Sequence, residues 1–251
     1  MESATFTGKT ILVTGASAGI GFSIASALVA AGGTVIITGR REQALKDAAV
    51  SLDPSAVGIR ADAAEEADLD ALFARITETH GHLDGLVVNA GGGRFASLET
   101  VTAADIDAAL AANVRGAILT IQKALPLLGE GSSIVSTGST AAPGGLVNFG
   151  LYSASKAALA TLTRTWATEL APRGIRVNDI VPGPTRTPGL AGLSDGADPS
   201  GLLAGLAAET LFNRLIEPSE VAAAALFLLS DASSGMTGSE LFVDAGQAHH
   251  H

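Results

Sequence analysis

The chain has 251 residues, with 15 Lys and Arg against 25 Asp and Glu and a formal net charge of −10. That balance leaves no basic face to track a phosphate backbone, and 4% aromatic residues leave no row of rings on which bases could stack. The absence of cysteine excludes disulfides, thiolate metal sites and a cysteine nucleophile, while 47% hydrophobic against 16% charged residues points to a sizeable core in place of disorder.

The first predicted strand is Thr10–Val13. From Thr10 to Gly39 no residue is charged, a length that matches a bilayer. Thr14, Gly15, Ser17, Gly19, Gly21, Ser23, Ser26, Gly32, Gly33 and Thr34 break its apolar residues into clusters, so neither a membrane span nor a targeting segment is expected. Thr14-Gly15-Ala16-Ser17-Ala18-Gly19-Ile20-Gly21 joins the strand to a helix near Ile20–Ala31. Glycines there let the backbone turn tightly and approach a pyrophosphate, and the helix start offers free N–H groups and a positive dipole end. The same glycines also suit a tight turn without a ligand. The next strand, Thr34–Thr38, runs into Gly39-Arg40-Arg41. A carboxylate ending that strand would bind the ribose hydroxyls of NAD. Two guanidiniums stand there instead, which predicts NADP(H) with NAD(H) second, Arg40 meeting the 2′-phosphate and Arg41 or Ser17 assisting. The competing reading is that both arginines only solvate the following helix.

A helix over Glu42–Ser51, a strand over Val57–Arg60 and a helix over Glu65–His80 follow. His80 and His82 flank Gly81 at that helix end, where positive charge suits the dipole, and supply no metal-ligand set. Beyond lie strands at Leu83–Val88, Ser133–Thr137, Arg176–Ile180 and Leu241–Val243, with helices at Ala103–Leu128, Tyr152–Leu170 and Glu220–Ser230. Trp166 reads as core or subunit contact, and Phe227-Leu228-Leu229 as ordinary helix core. Apolar strands alternating with helices predict an α/β fold: a single-domain, Rossmann-type, doubly wound parallel sheet of about seven strands with helices on both faces. It spans residues 1–248. Gly189–Leu211 shows no strand period and is expected to belong to a mobile substrate lid over residues 189–215. His249, His250 and His251 resemble a purification-tag remnant.

Tyr152 and Lys156 are four apart on one predicted helix and so share a face. An ammonium beside a phenol favours the phenolate, which suits Tyr152 to exchange a proton with an alkoxide. Alone, the Tyr-x-x-x-Lys spacing also fits an ordinary helix surface pair.

Taken together, the glycine turn, Asn89-Ala90-Gly91, Asn113, Ser139, Tyr152, Lys156 and Pro182-Gly183 occur in an order that resembles the short-chain dehydrogenase/reductase family, from about Thr5 to Gly246. The resemblance implies a role for each. Ser139, thirteen residues before Tyr152, would hydrogen-bond the substrate oxygen. Tyr152 would protonate that oxygen in reduction or take the alcohol's proton in oxidation. Lys156 would hold the nicotinamide ribose, and Asn113 would anchor a helix kink and a relay water. Asn89, Ala90 and Gly91 would lie beside the adenosine ribose, and Asp62 with Ala63 at the adenine edge. Pro182, Gly183, Thr185 and Thr187 would face the nicotinamide. Several alternatives compete. Ser133, Ser136, Thr137 and Thr140 also carry hydroxyls near Ser139, Asn113 suits a helix-interior residue bonded to backbone, and Asp62 suits a turn. Two positions depart from the family pattern: Val88 precedes Asn89 where asparagine is usual, and Ala245 replaces a glycine.

Residues Ala141 to Val147 are expected to form one substrate wall and Leu190, Leu193, Leu202, Leu203 and Leu206 another. Both are almost uncharged, which favours a neutral, apolar ketone or alcohol over a polyanionic acyl carrier. Arg94 and Arg186 are the two cations that would hold a carboxylate if one were bound. The family resemblance further implies a cytoplasmic homotetramer, with the Tyr152 helix and the last strand in its contacts and Ala157–Ala160 as an apolar face. No nucleic-acid or membrane partner is expected. A non-catalytic nucleotide-binding or scaffold protein on the same fold, and a dehydratase or epimerase, are the competing functions.

Overall fold

The computed structural model describes residues 5–52 and 54–249. His250 and His251, two of the three histidines of the supposed tag, lie outside them. Seven strands form one parallel sheet: β1 (Thr10–Val13), β2 (Thr34–Gly39), β3 (Ala56–Arg60), β4 (Leu83–Val88), β5 (Leu128–Thr137), β6 (Arg176–Pro182) and β7 (Glu240–Val243). Their order across the sheet is β3-β2-β1-β4-β5-β6-β7. The chain winds outward from β1 in one direction, then returns to β4 and winds outward in the other. In such sheets a crevice opens between β1 and β4 at the carboxyl ends of the strands, where ligands bind.

Nine helices connect the strands among the described residues: α1 (Gly19–Ala30), α2 (Glu42–Leu52), α3 (Glu66–Thr79), α4 (Ala103–Leu110), α5 (Gly116–Ala124), α6 (Gly150–Leu170), α7 (Pro188–Ala191), α8 (Ser200–Ala208) and α9 (Pro218–Leu229). The central strands alternate between two cores. Leu12, Ile36, Leu86 and Ile134 pack on the side of α3, α5 and α6, whereas Ile11, Val13, Val35, Ile37, Val87 and Val135 pack on the side of α1, α2 and α9. This two-sided burial explains why the strands read as continuous apolar runs. Each such side chain contributes roughly 1.5–3 kcal/mol on leaving water.

The predicted helix Ala103–Leu128 is not continuous. A π-helical turn over Ala111–Arg115 separates α4 from α5, a 3₁₀ turn at Leu125–Leu127 contains Pro126, and β5 already begins at Leu128. Gly116 allows the break to pack closely, since a Cβ there would lie 2.8 Å from Ala63 O. The segment without strand period holds two short helices, α7 and α8, neither with a buried residue. Leu228 and Leu229 are core as expected, but Phe227 is 38% exposed. Trp166 packs half-buried against the α6 side of the core. His80 caps α3, Gly81 follows with φ +74°, and His82 Nε2 faces Asp84 at 3.4 Å. No group of three potential metal ligands, and no helix long and apolar enough to cross a membrane, exists among the described residues.

Candidate active site

Two backbone segments meet where β1 and β4 end. Thr14 Oγ1 accepts from Asn89 N and Ala90 N at 3.0 Å each, and Asn89 Nδ2 donates to Thr14 O at 3.0 Å and Gly15 O at 3.1 Å. Gly15 has φ +64°, and a Cβ on it would lie 2.8 Å from Ala90 Cα. A Cβ on Gly21 would sit 2.5 Å from Asn89 Nδ2. The glycines therefore serve close packing of the two segments as well as tight turning. Both Nδ2 protons of Asn89 thus go to the glycine turn. Residue Ala18 starts α1 with no side-chain cap, and the first turn carries no acidic residue. Its positive end is thus left to an anion. A Cβ on Gly19 would meet Thr187 Cγ2 at 3.2 Å, so the Pro182–Thr187 segment passes over the same turn beside Ile20.

At the end of β2, a Cβ on Gly39 would lie 3.3 Å from Ser17 Oγ, which places Ser17 beside the strand end. Arg40 and Arg41 follow, both exposed, and neither forms an ion pair among the described residues. Asp62 Oδ1 accepts from Ala64 N at 3.0 Å, the turn arrangement that competed with an adenine contact, while its second oxygen faces no such donor.

The segment Gly91–Gly93 links three side chains. Asn113, 2% exposed in the π-helical turn, donates from Nδ2 to Gly92 O and accepts at Oδ1 from Gly92 N, both at 2.9 Å. It thus holds the helix break against the loop. A Cβ on Gly91 would overlap Asn113 Oδ1 and lie 3.9 Å from Lys156 Nζ, and one on Gly93 would lie 2.7 Å from Tyr152 Cδ2. On α6, Lys156 is 5% exposed, donates from Nζ to Thr137 O at 2.6 Å and lies 5.7 Å from the Tyr152 ring centroid. Phe149 stacks on Tyr152 at 4.6 Å and on Phe95 at 4.9 Å.

Ser139 stands apart from the hydroxyls around it. Ser133 donates to Leu228 O, Ser136 to Asp179 Oδ1 and Thr140 to Gln247 Oε1, while Thr137 Oγ1 is buried without a partner. Ser139 is half-buried and its Oγ accepts from Ala141 N at 3.2 Å, which leaves its proton to donate outward. Thr185 is buried and donates to Gly183 O at 2.9 Å, and Thr187 caps α7 by accepting from Leu190 N at 3.1 Å.

Of the expected substrate walls, Leu146 and Val147 are exposed, and Leu190, Leu193, Leu202, Leu203 and Leu206 are half-buried outside both cores. Arg94 pairs with Asp105 at 2.7 Å and Arg186 with Glu217 at 2.8 Å. Ala245 adopts φ +50°, a backbone region glycine enters without strain, and its carbonyl accepts from Leu211 N at 3.0 Å. Val88 is simply core. The sequence reading missed Thr14, Thr137, Gly93, Phe95 and Phe149. Thr14, inside the glycine motif, and Thr137, among the hydroxyls near Ser139, had a signal near them; the others act through contacts that exist once the loops have folded.

The family described as enoyl-(acyl carrier protein) reductase matches residues 15–248. An oxidoreductase, asL5, of Sarocladium schorii is 38% identical over 96% of this chain and 96% of its own. A 2,5-dichloro-2,5-cyclohexadiene-1,4-diol dehydrogenase of Sphingobium indicum is 37% identical over 95% of this chain and 96% of its own. Among solved structures, a 3-ketoacyl-(acyl-carrier-protein) reductase from Brucella melitensis, complexed with NADH, superposes with a TM-score of 0.90 at 31% identity, covering 97% of this chain and 100% of that one.

Proposed function

The chain belongs to the short-chain dehydrogenase/reductase family of oxidoreductases, and on that premise we propose that it uses NADP(H) to interconvert a neutral, apolar ketone and its secondary alcohol. The observation that carries this reading is Lys156 Nζ held at Thr137 O, two residues before Ser139, 5.7 Å from the Tyr152 ring, together with the uncapped start of α1 after the glycine turn. Small-residue packing at Gly15, Gly19 and Gly21 and the free start of α1 fit a dinucleotide's pyrophosphate. When bound, a reduced nicotinamide supplies hydride to a carbonyl carbon.

The chain's own residues do the rest. In reduction Tyr152 gives its phenolic proton to the carbonyl oxygen, and in oxidation it takes the alcohol's proton. Ser139 donates a hydrogen bond to that oxygen as charge develops on it. Lys156 keeps two N–H protons beyond the one given to Thr137 O, enough for both ribose hydroxyls. Asn113 acts at one remove, by fixing the Gly91–Gly93 segment that faces Tyr152 and Lys156. Asn89, Ala90, Gly91, Asp62 and Ala63 would line the adenosine half, and Pro182, Gly183, Thr185 and Thr187 the nicotinamide half.

Arg40, with Arg41 or Ser17, would hold a 2′-phosphate, supported by the exposed arginines and the absence of a carboxylate at the end of β2. The neighbour solved with NADH favours the second reading, an NAD(H) enzyme. Titration with both cofactors separates them: a lower KM for NADH than for NADPH overturns the phosphate assignment. Arg94 and Arg186 each already pair with a carboxylate of the chain, Asp105 and Glu217, which partly neutralises both cations and supports a neutral substrate. The acyl-carrier names of the matching family and of one neighbour make an acyl thioester the competing substrate. A panel of ketones, secondary alcohols and acyl thioesters decides between them, and cofactor binding without turnover of any would revive a scaffold. A cytoplasmic homotetramer belongs to the same reading. Leu159 and Ala160 are spent in the chain's own fold, so the half-exposed Ala157 and Ala158 and the exposed Phe242 on β7 are what α6 and the edge strand would offer to a partner.

A further inference from the structure

Two acids are buried among the described residues, Asp179 and Asp244. Asp244 is satisfied: Oδ1 accepts from Gly246 N at 2.9 Å and Oδ2 from Ala248 N at 2.8 Å. Asp179, 1% exposed on β6, is not. Its Oδ1 accepts from Ser136 Oγ at 2.8 Å, and its Oδ2 is buried with no partner. Burying half a carboxylate without a donor is costly, so the position calls for an explanation.

Asp179 lies opposite Ser136 of β5 in the strand register. Ser136 Oγ is also 2.8 Å from Thr163 Oγ1 of α6, so this is the face of the sheet that α6 covers. Since Ser136 gives its proton to Asp179, Thr163 gives its own to Ser136. The orphan Oδ2 rests against Gly138, where a Cβ would overlap it. That glycine separates Thr137, whose carbonyl holds Lys156 Nζ, from Ser139. The charged groups facing the carboxyl are Lys156 from α6 and Glu240 from β7, while β5 brings the Ser136 hydroxyl and, just past its end, the Gly138 backbone amide. Glu240 in turn has Arg164 of α6 at 3.7 Å.

We propose that Asp179 is a positioning residue of the site: its carboxylate balances the Lys156 ammonium from beneath and, through that amine, controls how readily Tyr152 releases its proton. This rests on the roles given to Tyr152 and Lys156 under the proposed function. Burial pushes the Asp179 carboxyl up to about 7, against the opposing pull of the Ser136 hydrogen bond and the Lys156 charge. The carboxyl thus changes charge near neutrality. Ionised, it offsets part of the lysine's attraction for a phenolate; protonated, it leaves that attraction whole.

Tyr152 is the only tyrosine in the chain, so the ultraviolet absorbance of phenolate reports it alone, without substrate or turnover. Asp179→Asn keeps the shape and removes the charge. The tyrosine transition is expected to move to lower pH by about half a unit or more, and Asp84→Asn, at the opposite end of the sheet, to leave it in place. With Lys156→Met in the background, the Asp179→Asn shift should shrink. A folded Asp179→Asn protein whose transition does not move overturns the proposal, whatever its melting temperature. If that variant does not fold, coupling is read from the other partner. Carboxyl-carbon NMR of the aspartate-labelled native chain should show one buried acid titrating near 7, and Lys156→Met should raise its midpoint. An unmoved midpoint overturns the proposal equally. Neither readout depends on turnover, so their failure is distinct from failure of the enzymatic reading.

Discussion

Tyr152 is positioned by rings and glycine, with Phe149 stacked at 4.6 Å and Gly93 leaving room for its edge. Its hydroxyl can therefore be removed with little disturbance to packing. We expect Tyr152→Phe to lower kcat by about 10²–10⁴-fold, the range for losing a positioned acid or base. NADPH binding, read by its fluorescence, should stay near native. Loss of binding in parallel with turnover would mean that the residue holds the cofactor only. Ala245 offers a second test. Its φ of +50° is strained for a residue with a Cβ, so Ala245→Gly should raise stability by up to about 1 kcal/mol in denaturant melts. At this scale the sequence disclosed residue types and spacing, and no more. Ser139 could not be told from the hydroxyls around it until their protons were traced to Leu228 O, Asp179 and Gln247. Likewise, the side chains of Asn89 and Asn113 bond to Thr14, Gly15 and Gly92, partners 75, 74 and 21 positions away that no local pattern reveals.

Helix α9 shows how an element beyond the site supports it. It packs on α1, the helix that opens from the glycine turn. Its start is fixed by a capping box in which Glu217 N donates to Glu220 Oε2, and by Arg214 bridging both Glu220 oxygens at 2.7 and 2.8 Å. The Arg214 fork, then the Glu217 amide, hold the Glu220 carboxyl down at about 2. A depressed carboxylate stabilises the fold above its unfolded value of about 4.3 and loses that contribution as pH falls toward 2. Glu220→Gln should therefore melt below native at pH 7, and the gap should close between about pH 4 and 2. A gap unchanged across that window would show that the charge is not what matters. Since solvent still reaches 38% of the Glu220 side chain and screens the pair, the pH 7 difference should be small. Strands and most helices were legible as elements because two-sided burial writes apolar runs, while the break between α4 and α5 was not. A π-helical turn leaves no mark in a run such as Ala111-Ala112-Asn113-Val114-Arg115, and the bonds that hold this one come from Gly92.

At the scale of the whole molecule, the sheet has two halves that meet at β1 and β4. The residues assigned to the cofactor lie on both: Ser17, Arg40 and Asp62 on the β1–β3 half, Gly91, Lys156 and Thr187 on the β4–β7 half. A dinucleotide spanning them would tie the halves together and bind the native state alone. At a hundred times its Kd a ligand of that kind adds about 2.7 kcal/mol. For a chain of this size the melting temperature should then rise by roughly 5–10 °C. NADP and NAD share every group except the 2′-phosphate, so their difference in shift isolates the end of β2. We expect NADP to raise the midpoint more than NAD at equal concentration, and Arg40→Ala to bring the two shifts together while leaving that of NAD in place. A larger shift with NAD would assign Arg40 and Arg41 to solvating α2, since the strand-end carboxylate expected for NAD is missing and the remaining adenosine contacts would have to carry the preference.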